Sequence, residues 1–509
     1  MAVVRLDMNV GHHLAQLVVQ PLLDVTGDIV GLGDAAVKES KERVRSAIKN
    51  SGRILPAKKI TANFAPAFIK KSGSAFDLPL AIGVLAATGQ LVFNDPNTVF
   101  LGELSLDGSL RSAAGVLPML ISALSNGYKT FIVPKDNAKE ASFVLGAKVY
   151  AAENLSEVID HLSGLKPLEK VMTTRLDFMH NAKTYDSDMA FVKGQAVARR
   201  ALEVAVSGGH NILFVGAPGT GKTMLAKCIP SIMPDMTFEE AIETTKIYSV
   251  AGLLDREGIV NLRPFRSPHH TASSVALTGG GATLRPGEIS LAHNGVLFLD
   301  EMPEYSRATL EALRQPLEDG VITVSRASGT VKYPANFILC GSMNPCPCGN
   351  YGSADKECTC TPHEIAKYRA KISGPLLDRI DISIVVNSVS FDDLRSRSTG
   401  ETSAVIRERV EKARAVQRER FKDSPFFTNS KMQASEIDRF CRLDEAAELL
   451  LKNAMEKLGI STRGYSRILK VARTIADIDG KEQIECAHIA EAIQYYNRSM
   501  FNPEGRGFA

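Results

Sequence analysis

The chain has 509 residues, which is too long for one ordinary hydrophobic core and favours about three domains. Its hydrophobic fraction of 44%, charged fraction of 23% and net charge of +3 are typical of a globular protein. So small a net charge excludes a uniformly basic surface, so any nucleic-acid-binding surface must be a local patch.

The N-terminus lacks the pattern of a signal peptide, because no basic stretch precedes an apolar one. The longest apolar run with few charges, residues 78–88, is far shorter than the roughly 20 residues of a membrane helix. We therefore expect a cytoplasmic protein with no membrane partner. In that reducing compartment its eight cysteines are not expected to form a disulfide framework.

The hydrophobic pattern divides the chain into an α+β domain (1–165), a polar linker (166–190), an α/β domain (191–395) and a helical domain (396–509). Alternating helices and buried strands in the third segment favour a parallel sheet. The predicted strands are 17–19, 99–102, 131–134, 211–215, 296–299 and 337–340. The predicted helices are 35–49, 78–87, 196–205, 405–421, 445–458 and 465–478.

Residues 216–223 match the P-loop motif G-x-x-x-x-G-K-[ST], and they lie between a predicted strand and a predicted helix. Glycines allow backbone N–H groups to wrap around phosphates at the start of a helix. We predict that Lys222 contacts the β- and γ-phosphates of ATP and that Thr223 binds Mg²⁺. The predicted ATP-binding residues of the loop are Gly216, Ala217, Pro218, Gly219, Thr220, Gly221, Lys222 and Thr223.

Polar residues also end two later strands. Asp300 and Glu301 follow the strand 296–299, where Asp300 is suited to hold Mg²⁺ and Glu301 to deprotonate the attacking water. Asn344 follows a third strand and is suited to orient that water, although an asparagine before a proline is, taken alone, better explained as a turn residue.

Two arginines complete the set. Arg379 lies beside two acids, which is compatible with a local ion pair or with an arginine finger that contacts the γ-phosphate bound to a neighbouring subunit. Arg463 opens a helical pattern and could contact the phosphate of its own subunit. Taken alone, an isolated arginine of this kind is better explained as a surface residue.

The order of these features resembles that of AAA+ ATPases. The long interval between Lys222 and Asp300 contains R-P-F-R-S-P-H-H-T (263–271), G-G-G (279–281) and P-G-E-I-S-L-A-H (286–293). With the segments 314–319, 344–349 and 471–477, these resemble the magnesium-chelatase-like branch and its YifB/ComM group over essentially the whole chain. The resemblance implies a hexameric ATPase that moves branched DNA during natural transformation.

Residues 68–135 resemble the domain shared by Lon proteases and the RadA helicase, which has the ribosomal S5 domain 2-like fold. Lon-type catalysis needs a serine activated by a lysine, and in this resemblance Leu117 occupies the lysine position. The nearby Lys70, Lys71, Ser72 and Ser74 are better explained as a basic turn. We expect no peptidase activity and predict a DNA-contacting or assembly module.

Four cysteines lie within fifteen residues, as two Cys-x-Cys pairs: Cys346, Cys348, Cys358 and Cys360. Two close pairs of thiolates across a turn can bind Zn²⁺ tetrahedrally. The Cys-x-Cys spacing is less common than Cys-x₂-Cys, so the alternative is that these cysteines pack as small apolar side chains. A closed four-thiolate site predicts a structural role for the metal.

Two insertions are expected to face the pore of a ring, namely residues 263–281 and a predicted hairpin at 321–333. Cations there would hold a phosphate backbone without reading its sequence. The candidate DNA contacts are Arg263, Arg266 and Arg326; for His269 and His270 a structural hydrogen-bonding role is at least as good an explanation.

We therefore expect a homo-hexameric ATP-dependent helicase or translocase with Mg²⁺ and a structural Zn²⁺. Its DNA would be single-stranded, duplex or branched, including recombinase–DNA intermediates. The alternative is a chelatase-type motor subunit that remodels a protein partner, although by the same resemblance that motor lacks the first domain. A scaffold without enzymatic activity is disfavoured, because Lys222 and the pair Asp300–Glu301 are intact.

Overall fold

The computed structural model describes residues 4–10, 13–22, 29–30, 35–55, 59–65, 74–93, 95, 97–174, 185–255, 257–281, 284–326, 329–352, 356–389, 395 and 400–496. These residues form two compact units. The first unit combines Met1–His180 with Thr237–Asn261, and the second combines Asn181–Met236 with Leu262–Ala509.

The first unit is an α+β structure with two main sheets. A four-stranded sheet has the order Val4–Val10, His13–Leu22, Lys59–Ala65, Ile29–Val30, and a parallel three-stranded sheet has the order Thr98–Phe100, Thr130–Pro134, Lys148–Ala152. A short hairpin joins Glu103–Leu104 to Leu110–Arg111. The helices are Ala35–Asn50, Asp77–Ala87, Val116–Ser125, Ala138–Ala141, Leu155–Leu162 and Phe238–Ala251.

The helix Phe238–Ala251 packs in the first unit although it lies within the predicted α/β segment. It packs against Val116–Ser125. Its Ser249 hydroxyl donates a hydrogen bond to Glu140 Oε2 over 2.8 Å, and its Ser249 carbonyl accepts one from the Gly115 N–H over 3.0 Å. A capping box at Thr237 and Glu240 fixes the start of the helix.

The second unit is an α/β structure built on a five-stranded parallel sheet. We number its strands in chain order as β1 (Ile212–Val215), β2 (Phe265–Arg266), β3 (Val296–Leu299), β4 (Ile338–Met343) and β5 (Ile382–Val385). The spatial order is β2-β3-β4-β1-β5. Every residue of β1, β3 and β4 is buried, as expected for strands covered on both faces.

The second unit also contains two hairpins and a series of helices. The hairpins pair Gly279–Gly280 with Arg285–Pro286, and Val321–Arg326 with Gly329–Pro334. The helices before residue 400 are Ala196–Gly208, Lys222–Lys227, Ile229–Ile232, Ser274–Thr278, Glu288–Leu291, Arg307–Glu311, Arg314–Asp319, Pro362–Arg369 and Gly374–Leu377. Those after it are Ser403–Arg420, Ala434–Phe440, Glu445–Leu458, Thr462–Ile478 and Cys486–Tyr495.

The C-terminal helices share one hydrophobic core with the sheet. Ser403–Arg420 and Thr462–Ile478 both pack against Ala196–Gly208, the helix that precedes β1. A buried polar cluster joins them: the His210 ring lies 3.0 Å from Asp381 Oδ2 and 2.8 Å from Thr474 Oγ1. The hydrogen-bonded His210 and nearby cations keep the pKa of Asp381 below its usual value despite its burial. No helix among the described residues is long and apolar enough to cross a membrane.

Candidate nucleotide-binding site

The P-loop connects β1 to the helix Lys222–Lys227. Gly219 and Gly221 have φ angles of 81° and 90°, in the left-handed region that favours glycine. A Cβ atom on either residue would meet no heavy atom within 4 Å, so glycine is favoured here by the backbone conformation and not by lack of space. The resulting loop presents backbone N–H groups at the start of a helix, which is an arrangement that binds phosphate.

Lys222 lies at the centre of this loop. Its Nζ donates to the carbonyl oxygens of Gly216 over 2.7 Å and Ala217 over 2.8 Å, and lies 3.3 Å from Asn344 Oδ1. Burial lowers the pKa of Lys222, while the nearby Asp300 and Glu301 carboxylates oppose that effect. Asn344 is placed here because β4 is the neighbour of β1, and both strands end at the same edge.

Asp300 follows β3 at the same edge and lies beside Thr223. The Thr223 hydroxyl donates to Asp300 Oδ2 over 2.9 Å, and the Ser342 hydroxyl donates to Asp300 Oδ1. A hydroxyl and a carboxylate in contact provide the oxygen ligands that Mg²⁺ prefers, so these residues fit that ion. Ser342, on β4, was not identified from the sequence, because its position beside Asp300 depends on the order of the strands.

Glu301 has a strained backbone. Its φ angle is 50°, which is uncommon for a residue other than glycine, and its side chain is 55% exposed. Its Oε2 lies 3.8 Å from His270 Nδ1, and the ring of His270 lies 4.2 Å from that of His269, centroid to centroid. The first insertion therefore reaches the acidic pair.

A pocket of about 420 Å³ lies beside the P-loop. Gln195 connects the two, because its Nε2 donates to the Asn387 carbonyl over 2.5 Å and lies 3.4 Å from the Thr220 carbonyl. Its size and mixed lining suit a small planar group such as a nucleotide base. No motif in the sequence marked its lining residues, which are Gly194, Gln195, Ala196, Val197, Ser383, Ile384, Val385, Asn387, Ser388, Val389, Gln494 and Tyr495.

Arg379 and Arg463 lie together at the opposite edge of the sheet. Both line a pocket of about 320 Å³ that also contains Asn211, which precedes β1, whereas the P-loop follows β1. Arg379 pairs with Glu318, and its Nη1 donates to the Pro375 carbonyl over 2.7 Å. Arg463 lies 3.6 Å from an Asp378 oxygen and its side chain is 76% exposed.

This placement disfavours a contact between Arg463 and the phosphate of its own subunit, so that role stays a prediction. Arg463 shares its pocket with Asn211, and the five-residue step from Asn211 to Gly216 spans about 16 Å along an extended strand. The helix Thr462–Ile478 brings Arg463 to Arg379 instead, because Arg467 of that helix donates to the Ile380 carbonyl over 3.0 Å.

The three candidate DNA contacts differ in their surroundings. Arg263 donates to the carbonyls of Pro234 over 2.5 Å and Asn294 over 2.8 Å. Arg266 forms a two-bond pair with Glu288, at 2.6 and 2.7 Å. Arg326 is exposed at the end of its hairpin strand, beside Gly280 of the first insertion. Of the three arginines, Arg326 is exposed, whereas Arg263 and Arg266 are half-buried.

The four cysteines form a compact cluster. All four Sγ atoms lie within 4.8 Å of one another, and the separations from Cys346 are 3.4 Å to Cys348 and 3.7 Å to Cys358. A tetrahedron with Zn–S bonds of about 2.3 Å has sulfur–sulfur edges of about 3.8 Å, so the cluster fits zinc. Backbone N–H groups of Asn350 and Thr359 lower the pKa of Cys348 to about 5, whereas burial raises the pKa of Cys358.

In the first unit, Leu117 is fully buried on the helix Val116–Ser125. The Ser74 hydroxyl donates to Glu103. Lys70, Lys71 and Ser72 lie outside the described residues.

The fold and the site together define a P-loop nucleotide-binding protein with the strand order and strand-end residues of an AAA+ domain. The family model of magnesium chelatase subunit ChlI matches residues 188–394. A model named subunit ChlI of Mg-chelatase matches 23–137, and one for the ChlI C-terminal region matches 400–496.

Among relatives, the chain is 45% identical to the competence protein ComM of Haemophilus influenzae over 478 residues, 92% of this chain and 91% of that protein. It is 44% identical to the uncharacterized protein YifB of Escherichia coli over 92% of this chain and 90% of that protein. It is 20% identical to the chloroplastic magnesium-chelatase subunit ChlI-2 of Arabidopsis thaliana over 55% of this chain and 67% of that protein. The chain therefore belongs to the YifB/ComM family of magnesium-chelatase-like AAA+ ATPases.

Proposed function

We propose that this protein is a hexameric ATP-driven DNA helicase or translocase that promotes branch migration during natural transformation. One observation carries the proposal. This chain, which contains an assembled nucleotide site, is 45% identical over 92% of its length to a protein named for competence. The proposal assigns the ATPase to the second unit and DNA or assembly contacts to the first.

The site residues take the following roles. Lys222 neutralises the β- and γ-phosphates, and Thr223 and Asp300 hold Mg²⁺, which when bound spreads the charge of the phosphate oxygens. Glu301 accepts a proton from the attacking water, and Asn344 orients that water. The pocket beside Gln195 holds the base.

The pocket of Arg379 and Arg463 supports a ring in which each subunit completes the site of the next. The pocket lies at the end of β1 opposite the P-loop. Besides the two arginines it is lined by Lys431, Arg467 and Lys470 and by the carboxylates of Asp378 and Asp381, so its cations outnumber its acids. Such a surface suits the triphosphate bound to a neighbouring copy. We therefore propose that both arginines act between subunits.

The DNA contact rests on the hairpin Val321–Arg326 and Gly329–Pro334. Arg326 and Lys332 are exposed on it, and Arg285 is exposed on the neighbouring hairpin. These cations would contact phosphates without reading bases. Arg263 and Arg266 are interpreted as residues that hold the shape of the first insertion, because their guanidinium groups already contact carbonyl and carboxylate oxygens.

The four-cysteine cluster supports a structural Zn²⁺. The sulfur positions fit a tetrahedron, and N–H groups such as that of Tyr351, 3.3 Å from Cys346 Sγ, donate toward the sulfurs. A site of four thiolates leaves no open position for catalysis.

The test is ATP hydrolysis with and without forked, single-stranded and duplex DNA, followed by strand displacement on three- and four-way junctions. We expect DNA to stimulate hydrolysis. We expect the strands of the junctions to separate only when ATP is present. Lys222→Ala is the control, and it should abolish both activities. A rate of ATP hydrolysis that no form of DNA increases, together with no strand displacement, would reject the helicase proposal.

A second candidate is a chelatase-type motor that remodels a protein partner. All three matching family models carry the name of the chelatase subunit, including the one that matches residues 23–137 in the first unit. That match weakens the argument that the first domain separates this chain from the chelatase motor. DNA-independent hydrolysis that is stimulated by a purified protein partner would favour this candidate.

A further inference from the structure

The four-cysteine loop, defined as residues 346–352 and 356–360, begins beside the nucleotide site. Asn344 follows β4 directly, and its Oδ1 lies 3.3 Å from Lys222 Nζ. Only Pro345 separates Asn344 from Cys346, the buried member of the cluster. The position of the first sulfur is therefore tied to the position of the amide that contacts the P-loop lysine.

The loop also packs against the P-loop itself. A Cβ atom on Gly349 would lie 2.6 Å from Pro218 Cδ and 2.9 Å from Pro218 Cγ, so the backbone at Gly349 lies directly on that ring. Gly349 has a φ angle of 83°, and its N–H donates to the Cys346 carbonyl over 3.0 Å. This turn, closed at Cys346, supports Pro218.

Arg369 contacts the loop from the helix that follows it. Its Nε donates to the Pro345 carbonyl over 3.2 Å, and its guanidinium carbon lies 5.2 Å from the centre of the Tyr351 ring. Arg369 belongs to the helix Pro362–Arg369, which begins two residues after Cys360. A metal bound by all four sulfurs would hold the two ends of the loop at one point.

We propose that the metal-bound four-cysteine loop positions Pro218 and Asn344, and so sets the affinity of the P-loop for nucleotide. The proposal rests on the zinc site proposed above. Its residues act on the nucleotide through the P-loop, so they are positioning residues. Loss of the metal frees the turn at Gly349, so Pro218 and Asn344 both lose the contacts that hold them beside the phosphate site.

The first test compares the affinity for a fluorescent ATP analogue, measured by anisotropy without DNA, in zinc-containing, chelator-treated and zinc-reloaded full-length protein. We expect treatment to weaken binding by about tenfold or more and reloading to restore it, since small displacements in such sites have large effects. Circular dichroism verifies that the treated protein stays folded. Folded, zinc-free protein with unchanged affinity would overturn the proposal, as would wild-type protein that contains no zinc.

The second test isolates the contact from the metal. Gly349→Ala keeps all four thiolates but places a methyl group against Pro218, so zinc should remain while nucleotide affinity falls about tenfold. Gly352→Ala is the matched control, because Gly352 lies in the same loop, has a φ angle of 77° and is exposed. It should keep wild-type affinity.

Pro218→Ala provides the rescue. It removes Cγ and Cδ, the two atoms nearest the added methyl group, so Gly349→Ala combined with Pro218→Ala should bind nucleotide more tightly than Gly349→Ala alone. Equal affinities for these two variants, or wild-type affinity for Gly349→Ala, would refute the contact. Because binding is measured without DNA, a failed helicase assay leaves this result unaffected.

Discussion

The placement of Arg379 far from its own P-loop predicts a specific outcome when two inactive variants are mixed. Lys222→Ala should be unable to bind or turn over ATP. Arg379→Ala should bind ATP but hydrolyse it about 10³-fold or more slowly, as expected for loss of an arginine finger. Each variant retains the residue that the other lacks.

The magnitude for the mixture follows from the geometry. Asn211 contacts the Arg379 carbonyl over 2.7 Å at one end of β1, and Lys222 contacts Gly216 at the other end. A complete site therefore needs Lys222 from one subunit and Arg379 from the next. In a ring assembled at random from equal amounts of the two variants, each condition holds for half of the subunits, so about one quarter of the sites are complete.

The assay is steady-state ATP hydrolysis after the two proteins are unfolded, mixed and reassembled, with assembly verified by mass. We expect up to about one quarter of wild-type activity from the mixture. The control replaces either partner with the double variant Lys222→Ala/Arg379→Ala, which contains neither group and should restore nothing. A co-assembled mixture no more active than its separate parents would refute the composite site.

Three further predictions follow from other regions. Arg326→Ala should weaken binding to single-stranded DNA and lower the salt dependence of that affinity by about one phosphate contact, measured by anisotropy over a salt series. Lys412→Ala, which removes an equal charge from an exposed side chain of the helix Ser403–Arg420, should do neither. Replacing Cys346 and Cys348 by serine should reduce zinc from about one atom per chain to none by elemental analysis, while Cys486→Ser retains it. Burial raises the pKa of Glu140 above its usual 4.5, so this carboxyl stabilises the fold most at low pH and loses that contribution as pH rises through its folded-state pKa. The free energy of unfolding, measured with urea, should therefore increase for Glu140→Gln relative to wild type as the pH rises above about 4.5. A difference between the two proteins that does not change with pH would contradict this.

The features predicted well from the sequence depend on local patterns. Strand 296–299 and helix 445–458 have the predicted bounds, and β1 begins one residue later than expected. The two strands are apolar runs, and the helix 445–458 has a clear helical repeat and a capping residue, Asp444. The hairpin at 321–333 was also expected, and the structure pairs Val321–Arg326 with Gly329–Pro334.

The features that the sequence did not predict depend on contacts between distant segments. Nothing local indicates that Ser342 donates to Asp300, or that Gln195 connects the P-loop to a pocket. Arg263 and Arg266 are basic residues in an insertion, and their partners become visible only when the chain folds around them. The position of Arg463 beside Arg379 was not predicted for the same reason, because the packing of its helix decides which edge of the sheet it faces.

Residues 237–261 belong to the first unit although they lie within the sequence of the second, and this affects both the order of folding and the choice of fragments. Ala241 and Ile247 of the helix Phe238–Ala251 are buried in a unit whose other segment ends at residue 180. During synthesis the first unit therefore stays incomplete until 56 residues of the second, Asn181–Met236, have been made. A shortened protein that starts at residue 181 would expose that helix to water, so insolubility of such a fragment would say nothing about the stability of the ATPase core.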